Sequence, residues 1–455
     1  MSISESKDAS ARQSLYEEHV NPQWVRLLDV LGMNVRYASC LGAELITEDG
    51  RHILDFNSSY CVHNLGHNHP GVVRAIKSEL DRNGPAMLQG VPELAGELAQ
   101  RLCMQAGERL SKVFFCSSES EGVEAVIKFA RANTKRSGIL YAAGGFHGLT
   151  CGALSLMDNP FWTAEFGPLL PETQSVPFGD FDQLEKHLSS KKFAAFIVEP
   201  IQAEAGVLLP PPNYLNRAQE LCRRYGTLFV LDEVQTGMCR TGPFLAARQF
   251  GVEPDVVILA KALGGGLVPS AAVLMSDAVY NSVYTSFKRS IIHTSTSSEN
   301  SLSTRAGLAT MDVLAESNLG ERGAQLGRHL REELTSRLSH YDMINEMRGL
   351  GMMSGIEFRP PKKLRLRILF EAFAKIHPAM FGQVLVMRLF RDGAIYSQIC
   401  GNNFMVLKVA PALVINEPQL DRFVDAIEST VDLMHTSGAF WTEALGMARR
   451  VINVI

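Results

Sequence analysis

The stretch TLFVLDEVQTG at residues 227–237, followed by DVVILAK at residues 255–261, decides the fold of this chain. Each part contains a short run of β-branched and aliphatic residues that ends in a charged residue. Such runs, bounded by turn-forming residues, are typical of strands buried on both faces of a parallel sheet. In open parallel sheets the chemistry collects at the carboxyl ends of the strands, so we expect Asp232 and Lys261 to stand at two such ends. The sequence therefore predicts an α/β fold with a reactive site at this edge of the sheet.

A carboxylate and a lysine at neighbouring strand ends suit one cofactor in particular, pyridoxal 5′-phosphate. Lys261 would form a Schiff base with the cofactor aldehyde, and Asp232 would keep the pyridine nitrogen protonated so that the ring can accept electrons. The pattern alone leaves an alternative open, in which Asp232 caps the next turn and Lys261 is a solvated lysine.

The order of residues around these two positions is more specific. LDEVQTG at 231–237 is followed by RTG at 240–242, and Lys261 comes 29 positions after Asp232. With these motifs the chain resembles the class III aminotransferases over about residues 40–430. These are pyridoxal-phosphate enzymes of fold type I, and they include the ornithine, acetylornithine, putrescine and 4-aminobutyrate aminotransferases.

The resemblance implies a two-domain α/β architecture. The large domain would hold a seven-stranded, mostly parallel sheet, and a small α+β domain would be built from both chain ends. We expect residues 1–70 to form an N-terminal segment and part of the small domain, residues 71–320 the large cofactor-binding domain, and residues 321–455 the rest of the small domain. The resemblance also implies a homodimer with its active sites at the subunit interface.

The resemblance assigns a set of residues to the cofactor. The strand-to-helix turn around residues 117–121 is the expected phosphate seat, because a helix N-terminus offers free N–H groups and the positive end of the helix dipole. An aromatic residue after the next strand is expected on the face of the pyridine ring, and a threonine is expected to reach the phosphate bound by the other subunit. With Lys261 and Asp232 as the catalytic pair, the predicted cofactor-binding residues are Ser118, Glu119, Ser120, Phe146, His147, Asp232, Gln235, Lys261 and Thr296.

Two positions of the expected cofactor site depart from the family pattern. Glu119 stands where the family has glycine, and Ser297 stands where most relatives have an aromatic residue. A side chain at position 119 restricts backbone angles that glycine allows. A carboxylate about 4 Å from a phosphate is repelled by ~1 kcal/mol per charge pair in water. We therefore expect either that Glu119 points away from the phosphate or that cofactor binding is weak.

Four further residues are assigned to the substrate by the same resemblance. Tyr60 and Cys61 match residues that line the substrate pocket. Lys408 stands where relatives have an arginine that grips a carboxylate, and Glu204 stands where a glutamate engages that arginine when the substrate lacks a carboxylate. Because lysine loses the bidentate fork of arginine, looser recognition of the keto acid is expected. In the alternative interpretation, Lys408 merely pairs with a surface carboxylate.

Residues 360–392 diverge from the family and allow two interpretations. A basic segment precedes a stretch rich in Met and Phe, and its cationic residues are Lys362, Lys363, Arg365 and Arg367. The first interpretation is a basic surface edge beside a packed pair of helices. The second is an acyl-chain pocket with a basic docking patch for a carrier protein or an anionic lipid. In the second case the substrate would be a bulky or acyl-chain amine or aldehyde.

Composition excludes several classes of function. With 455 residues, 46% of them apolar, 20% charged and a net charge of −4, the chain fits a soluble protein of more than one domain without nucleic-acid affinity. No apolar run approaches 18 residues, so no membrane span is expected. Eight cysteines without a Cys-x-x-Cys pair, and three histidines at 63–69 without a neighbouring carboxylate or thiolate, predict no metal site. The polar N-terminus predicts a cytoplasmic location.

The sequence thus predicts an aminotransferase that moves an amino group between an amine or amino acid and a keto acid or aldehyde through Lys261. Another reaction on the same scaffold remains open, namely an aminomutase, a decarboxylating aminotransferase or a racemase. A scaffold protein with weakened catalysis is a further alternative, motivated by Glu119 and Ser297.

Overall fold

The computed structural model of the protein describes residues 15–88, 90–376, 379–438, 440–442 and 445–446. Its strands form three sheets. The strands are β1 Tyr37–Leu41, β2 Glu44–Thr47, β3 His52–Asp55, β4 Lys112–Cys116, β5 Gly138–Ala142, β6 Thr173–Val176, β7 Phe193–Val198, β8 Leu228–Asp232, β9 Val256–Leu259, β10 Ala271–Met275, β11 Ile344–Leu350, β12 Met353–Phe358, β13 Ile395–Tyr396, β14 Gln398–Ile399 and β15 Val406–Val409.

The largest sheet has seven strands in the order β4-β10-β9-β8-β7-β5-β6. The pairs β9-β8, β8-β7, β7-β5 and β5-β6 are parallel. Strand β10 runs antiparallel to both β4 and β9. The predicted α/β fold with a seven-stranded, mostly parallel sheet is therefore confirmed.

Strand β9 shows why the sequence forms this sheet. Its four residues are aliphatic and all buried. Val257 and Leu259 pack into one apolar core, whereas Val256 and Ile258 pack into a second one. Because successive side chains of a strand point to opposite faces, the sheet lies between the two cores and has no solvated face here.

Helices and 3-10 turns connect and cover the strands. The helices are α1 Pro22–Leu31, α2 Ser58–Cys61, α3 Pro70–Asp81, α4 Glu93–Ala106, α5 Glu119–Thr134, α6 Cys151–Leu154, α7 Pro160–Thr163, α8 Phe181–Ser189, α9 Tyr214–Tyr225, α10 Ala246–Phe250, α11 Asp277–Asn281, α12 Ser301–Glu316, α13 Leu319–Leu338, α14 Leu364–Ile376, α15 Met380–Asp392 and α16 Glu417–Thr436. The 3-10 turns are Lys261–Gly264 and Phe287–Arg289. Among the described residues, no helix has the length and apolar character needed to cross a membrane.

One of the two smaller sheets combines early and late parts of the chain. The first contains β1, β2, β3 and β13, and Ile395 of β13 lies opposite Leu54 of β3 in a parallel pair. The second contains β11, β12, β15 and β14. Early and late segments therefore share a sheet, which is the arrangement that a small domain built from both chain ends requires.

Arg240 of the RTG motif links distant segments. It is fully buried and donates hydrogen bonds to the backbone carbonyls of Met352 and Pro411 and to the side-chain oxygen of Asn64. The motif arginine therefore fastens the loop after β8 to both the early and the late part of the chain.

The Met- and Phe-rich stretch forms the helix pair α14 and α15. Phe370 and Phe381 are buried, with ring centroids 5.1 Å apart, and Phe381 also stacks on Trp441. These side chains belong to the main apolar core. These buried side chains fit the interpretation as a packed helix pair, and the acyl-chain pocket stays a prediction.

Candidate active site

Asp232 and Lys261 meet where the sequence predicts. Asp232 ends β8 and lies opposite Ile258 of β9 in a parallel pair. Lys261 follows β9 by two residues and opens a 3-10 turn with a left-handed φ of +43°. Both side chains are largely buried, with 2% of Asp232 and 16% of Lys261 exposed. The carboxyl edge of the sheet thus brings a carboxylate and an amine into one site.

His147 supports the carboxylate of Asp232. Its Nδ1 lies 2.7 Å from Asp232 Oδ2, and the imidazole is fully buried. Burial by itself would lower the pKa of His147, but the hydrogen bond and charge of Asp232 raise it. Asp232 Oδ1 also accepts the backbone N–H of Val234. A carboxylate held on both oxygens in this way can serve as a fixed partner for a ring N–H.

A second buried carboxyl group orients the loop that carries Phe146. Glu199 accepts the backbone N–H groups of Phe146, at 2.9 Å, and of Ala203, at 3.1 Å. Burial raises the pKa of Glu199 to about 8. The family resemblance gave this glutamate no role, although its position at the end of β7 is a signal for one.

The N-terminus of α5 has the groups expected of a phosphate seat. Ser118 caps this 16-residue helix by accepting the N–H of Glu121. The N–H groups in a first helical turn have no partner within the helix. Ser118 and Ser120 border a cavity of about 560 Å³ together with Lys261. Hydroxyls, helix N–H groups and the positive dipole end are suited to an anion.

Glu119 does not point away from this site. Its Oε2 lies 2.7 Å from Lys261 Nζ, so the carboxylate points to the lysine that is expected to attach the cofactor. The concern about backbone angles also disappears, because Glu119 is the first residue of α5 and has a helical backbone, outside the left-handed region. Burial would lower the pKa of Lys261, but the Glu119 carboxylate raises it.

Lys408 and Glu204 form a buried ion pair behind Gln235. The Lys408 ammonium contacts the Glu204 carboxylate and is only 1% exposed. Burial disfavours both charges, yet the pairing lowers the pKa of Glu204 and raises that of Lys408. Gln235 contacts both partners at 3.3 Å, and the ring of Tyr60 lies 4.9 Å from the Lys408 ammonium. The alternative of a surface carboxylate partner for Lys408 is therefore wrong.

An aromatic cavity of about 530 Å³ leads to Lys261. Its lining includes predicted residues, namely Tyr60, Glu119, Phe146, Glu204 and Gln235. It also includes residues that sequence reasoning missed, namely Trp24, Phe161, Trp162, Gln383 and Phe404. The missed residues come from distant parts of the chain and belong to no motif. The nearest sequence signal is Asn159-Pro160. Asn159 caps α7, Pro160 is its first residue, and the aromatic pair Phe161 and Trp162 follows directly.

Two other groups of predicted residues lie elsewhere. Thr296 and Ser297 are exposed and border a separate cavity with Glu121 and Glu124, so within one chain Thr296 is not brought to Lys261. The expectation that the three histidines have no carboxylate neighbour is wrong, because Asp55 Oδ2 lies 2.8 Å from a ring nitrogen of His67.

The remaining histidines have separate surroundings. Burial lowers the pKa of His63 to about 4, and its ring contacts that of His67. His69 caps α3 by accepting the N–H of Gly71. Among the described residues, no cluster of His, Cys, Asp and Glu has the arrangement of a metal site.

This fold and this site define a pyridoxal-phosphate-dependent transferase of fold type I. The residues present fit that cofactor: Lys261 supplies an amine, Asp232 a buried carboxylate for the ring nitrogen, and the turn at Ser118 and Ser120 a phosphate seat. When bound, the cofactor supplies an electron sink for carbanion chemistry at the substrate. Glu119 is at odds with it, since it borders the same cavity as Ser118 and Ser120 and brings a carboxyl group there.

Comparison with known proteins identifies the family. The sequence profile described as aminotransferase class-III matches residues 30–431. The aminotransferase PigE of Serratia sp. is 33% identical over 453 residues, which cover 92% of this chain and 53% of PigE. The putrescine aminotransferase of Pectobacterium atrosepticum is 37% identical over 360 residues, which cover 76% of each protein. The chain thus spans about half the length of PigE.

A solved structure gives the same result. The ornithine aminotransferase of Toxoplasma gondii, in which pyridoxal phosphate partially occupies the active site, superposes with a TM-score of 0.80 at 26% identity. The match covers 94% of this chain and 98% of that one. The chain belongs to the class III aminotransferase family, which consists of pyridoxal-phosphate-dependent enzymes.

Proposed function

We propose that the enzyme transfers the amino group of an amine with a bulky apolar body to a keto acid. Lys261 is the lysine that attaches the cofactor, and after its release it moves the proton at the substrate carbon. Asp232, oriented by His147, would hold the proton on the ring nitrogen. Gln235 would lie near the ring hydroxyl. The observation that carries the substrate class is the aromatic cavity that ends at Lys261.

The walls of this cavity favour an apolar substrate body. Trp162 is fixed edge-on to Phe146, with ring centroids 5.5 Å apart, and its indole N–H donates to Asn402. Phe161 packs edge-on against Trp162. Because aromatic walls reward apolar area removed from water, a long or bulky amine gains binding energy that a short diamine lacks. The support for a bulky substrate therefore comes from this cavity, to which residues 360–392 contribute Gln383.

The buried pair of Glu204 and Lys408 suits alternate partners. While Glu204 and Lys408 are paired, their charges offset each other, and the cavity suits a substrate body without a charge. If Glu204 turns away, the Lys408 ammonium becomes available to the carboxylate of a keto acid. A lysine makes a point contact and no fork, so this recognition should be looser than recognition by an arginine.

The substrate class is tested by comparing amine donors of equal reactivity and different length. We expect a C12 monoamine to react with a higher kcat/KM than a C4 diamine, with pyruvate and 2-oxoglutarate offered as acceptors. The C4 diamine is the informative competitor, because one relative is named a putrescine aminotransferase. A strong preference for the short diamine would contradict the proposal.

The same assay separates transamination from other reactions on this scaffold. Transamination moves nitrogen from a labelled amine into a separate keto acid, whereas an aminomutase, a decarboxylating enzyme or a racemase gives a different product balance. A scaffold protein without catalysis would show neither outcome. The intact pair of Lys261 and Asp232 favours catalysis.

We also propose a homodimer. Two segments of the single chain expose large apolar side chains to water. Leu88 and Val91 are 76% and 89% exposed, and Phe287 and Ile291 are 94% and 79% exposed. Apolar surface of this kind marks interaction sites. We expect Val91→Asp and Phe287→Asp to shift sedimentation from dimer to monomer. The control is Leu364→Asp, at a residue that is 72% exposed elsewhere in the chain.

We also assign a cellular location and domain boundaries. The enzyme is assigned to the cytoplasm, with the large domain at 71–320 and the small domain from 1–70 and 321–455; the outermost residues lie outside the described ranges.

The cationic side chains of the basic segment at residues 362–367 are exposed, and apolar Leu364 and Ile368 in and beside it are 72% and 57% exposed.

This surface suits an acidic carrier protein. Its cationic residues are Lys362, Lys363, Arg365 and Arg367. Charge reversal with Lys363→Glu and Arg365→Glu should slow turnover of a carrier-bound acyl substrate but not of a free amine. Equal effects on both substrates would rule the contact out.

A further inference from the structure

The Glu119 carboxylate enters the reactive site. Its Oε2 lies 2.7 Å from Lys261 Nζ, and only 13% of the Glu119 side chain is exposed. Glu119 borders both the cavity at the phosphate seat and the aromatic cavity, which meet at Lys261. One carboxylate is therefore placed between the amine that would attach the cofactor and the helix end that would bind its phosphate.

The backbone gives no reason for glycine at this position. Glu119 is the first residue of α5 and has helical angles. An acidic side chain in the first turn is favourable because the N-terminal end of a helix carries a partial positive charge. Glu119 thus supplies to the end of α5 the kind of charge that a bound phosphate would supply.

We propose that Glu119 is a positioning residue that competes with the cofactor, by holding the Lys261 amine as an ammonium ion and by supplying the negative charge at the N-terminus of α5. The cofactor must displace this carboxylate before it can attach. The inference rests on the proposed role of Lys261 in cofactor attachment, and it concerns the step before any amine substrate binds.

Glu119 opposes the aldehyde end and the phosphate end of the cofactor by two separate effects. At the aldehyde end, Lys261 must lose a proton and leave Glu119 before its amine can act as a nucleophile. At the phosphate end, a carboxylate and a phosphate beside the same helix terminus repel each other. A ligand with only one of these ends therefore reports only one of the effects.

The experiment uses the cofactor-free full-length chain and three ligands. Pyridoxal 5′-phosphate has both ends, pyridoxal lacks the phosphate, and pyridoxamine 5′-phosphate lacks the aldehyde. Dissociation constants are measured by quenching of tryptophan fluorescence, since Trp24 and Trp162 border the site. The rate of attachment is measured by borohydride trapping and peptide mapping of Lys261.

The variants are Glu119→Gln and Glu119→Gly, with Glu121→Gln as the matched control. The control removes the same formal charge from the same helical turn. The Glu121 carboxylate, however, accepts the backbone N–H of Ser117 at 2.6 Å and does not contact Lys261. Glu119→Gln keeps the size of the side chain, so it tests the charge without opening a cavity.

We expect Glu119→Gln to raise the rate of pyridoxal attachment at Lys261 about tenfold or more. We expect both phosphorylated ligands to bind more tightly, with the largest gain for pyridoxal 5′-phosphate. The Glu121→Gln control should change the rate of pyridoxal attachment far less, because the Glu121 carboxylate contacts the Ser117 N–H and not Lys261. Glu119→Gly should reproduce the gain if the chain keeps its folded circular dichroism spectrum.

Two results would overturn the proposal. If pyridoxal attachment is unchanged while both phosphorylated ligands bind more tightly, Glu119 only repels phosphate and does not restrain Lys261. If all three ligands bind more weakly, Glu119 supports the cofactor. A borohydride label on another lysine would instead refute the role of Lys261 and leave the Glu119 contact as a structural ion pair, so the two failures are distinguishable.

Discussion

His147 Nδ1 lies 2.7 Å from Asp232 Oδ2, and neither side chain is more than 2% exposed. Burial by itself would lower the pKa of His147, but the hydrogen bond and charge of the Asp232 carboxylate raise it. The hydrogen bond fixes the orientation of the carboxylate that would serve the ring nitrogen. The electron-withdrawing power of the cofactor should depend on this pair.

Asp232→Asn should lower kcat by roughly 100-fold or more, because a fixed charge that stabilises the transition state is lost. The cofactor should remain attached to Lys261, and borohydride trapping checks this. An unchanged kcat would show that Asp232 only caps the turn after β8.

Lys261→Ala should abolish turnover while leaving the fold intact, because the amine that attaches the cofactor is removed. In the unchanged enzyme, borohydride reduction and peptide mapping should label Lys261. A label on Lys128 or Lys288 instead would contradict the assignment of Lys261 as the cofactor-binding lysine.

Phe161→Ala should raise KM for a C12 amine roughly 5- to 150-fold, because ~1–3 kcal/mol of apolar contact is lost. The KM for a C4 diamine should change little. Phe166→Ala is the control, since Phe161 and Phe166 are 64% and 65% exposed but only Phe161 lines the cavity. Equal effects of the two substitutions would place the substrate elsewhere.

Lys408→Ala should raise KM for the keto acid roughly tenfold or more, about 1.4 kcal/mol, and change the amine half-reaction little. The single change also leaves Glu204 buried without its partner, which by itself costs about 3–5 kcal/mol of stability. A double variant, Lys408→Met with Glu204→Gln, removes both charges and should recover much of the melting temperature but not the low KM. Equal losses in both half-reactions would show that Lys408 supports the fold alone.

Glu199→Gln should flatten the dependence of stability on pH. Burial raises the pKa of Glu199 from 4.5 to about 8. Between these values the folded chain keeps a proton that the unfolded chain releases, so the free energy of unfolding falls as pH rises. Thermal melting at several pH values should show a smaller fall in the variant, whereas Glu253→Gln, at a side chain that is 75% exposed, should leave the slope as it was.

The buried parallel strands and the meeting of Asp232 with Lys261 could be predicted from sequence because both depend on local patterns, whereas the number of strands followed from family resemblance. Aliphatic runs specify buried parallel strands, and the carboxyl ends of such strands lie along one edge. The pairing of Glu204 with the cation at position 408 followed from family resemblance. Strand ends and motif positions therefore locate the site.

Side-chain directions and non-local contacts could not be predicted in this way. The contact of Glu119 with Lys261 depends on one rotamer at a helix end, which no periodicity encodes. The contact of His67 with Asp55 and the aromatic wall around Phe161 join residues that are separated by loops. The stretch after residue 364 has the composition of a ligand pocket and of a core alike, and only its packing against Trp441 shows that part of it joins the core.

The parallel pairing of β3 with β13 has a consequence for how this chain is made. Nearby, the guanidinium of Arg51 donates to the carbonyl of Phe390, and these partners are 339 positions apart in the sequence. At a synthesis rate of about 5–20 residues per second, the early strands wait roughly 20–70 s on the ribosome before their late partner emerges. During that interval β3 has a free edge that can pair with other chains. A nascent-chain chaperone that covers residues 37–55 should therefore raise the yield of active enzyme more than one that acts after release.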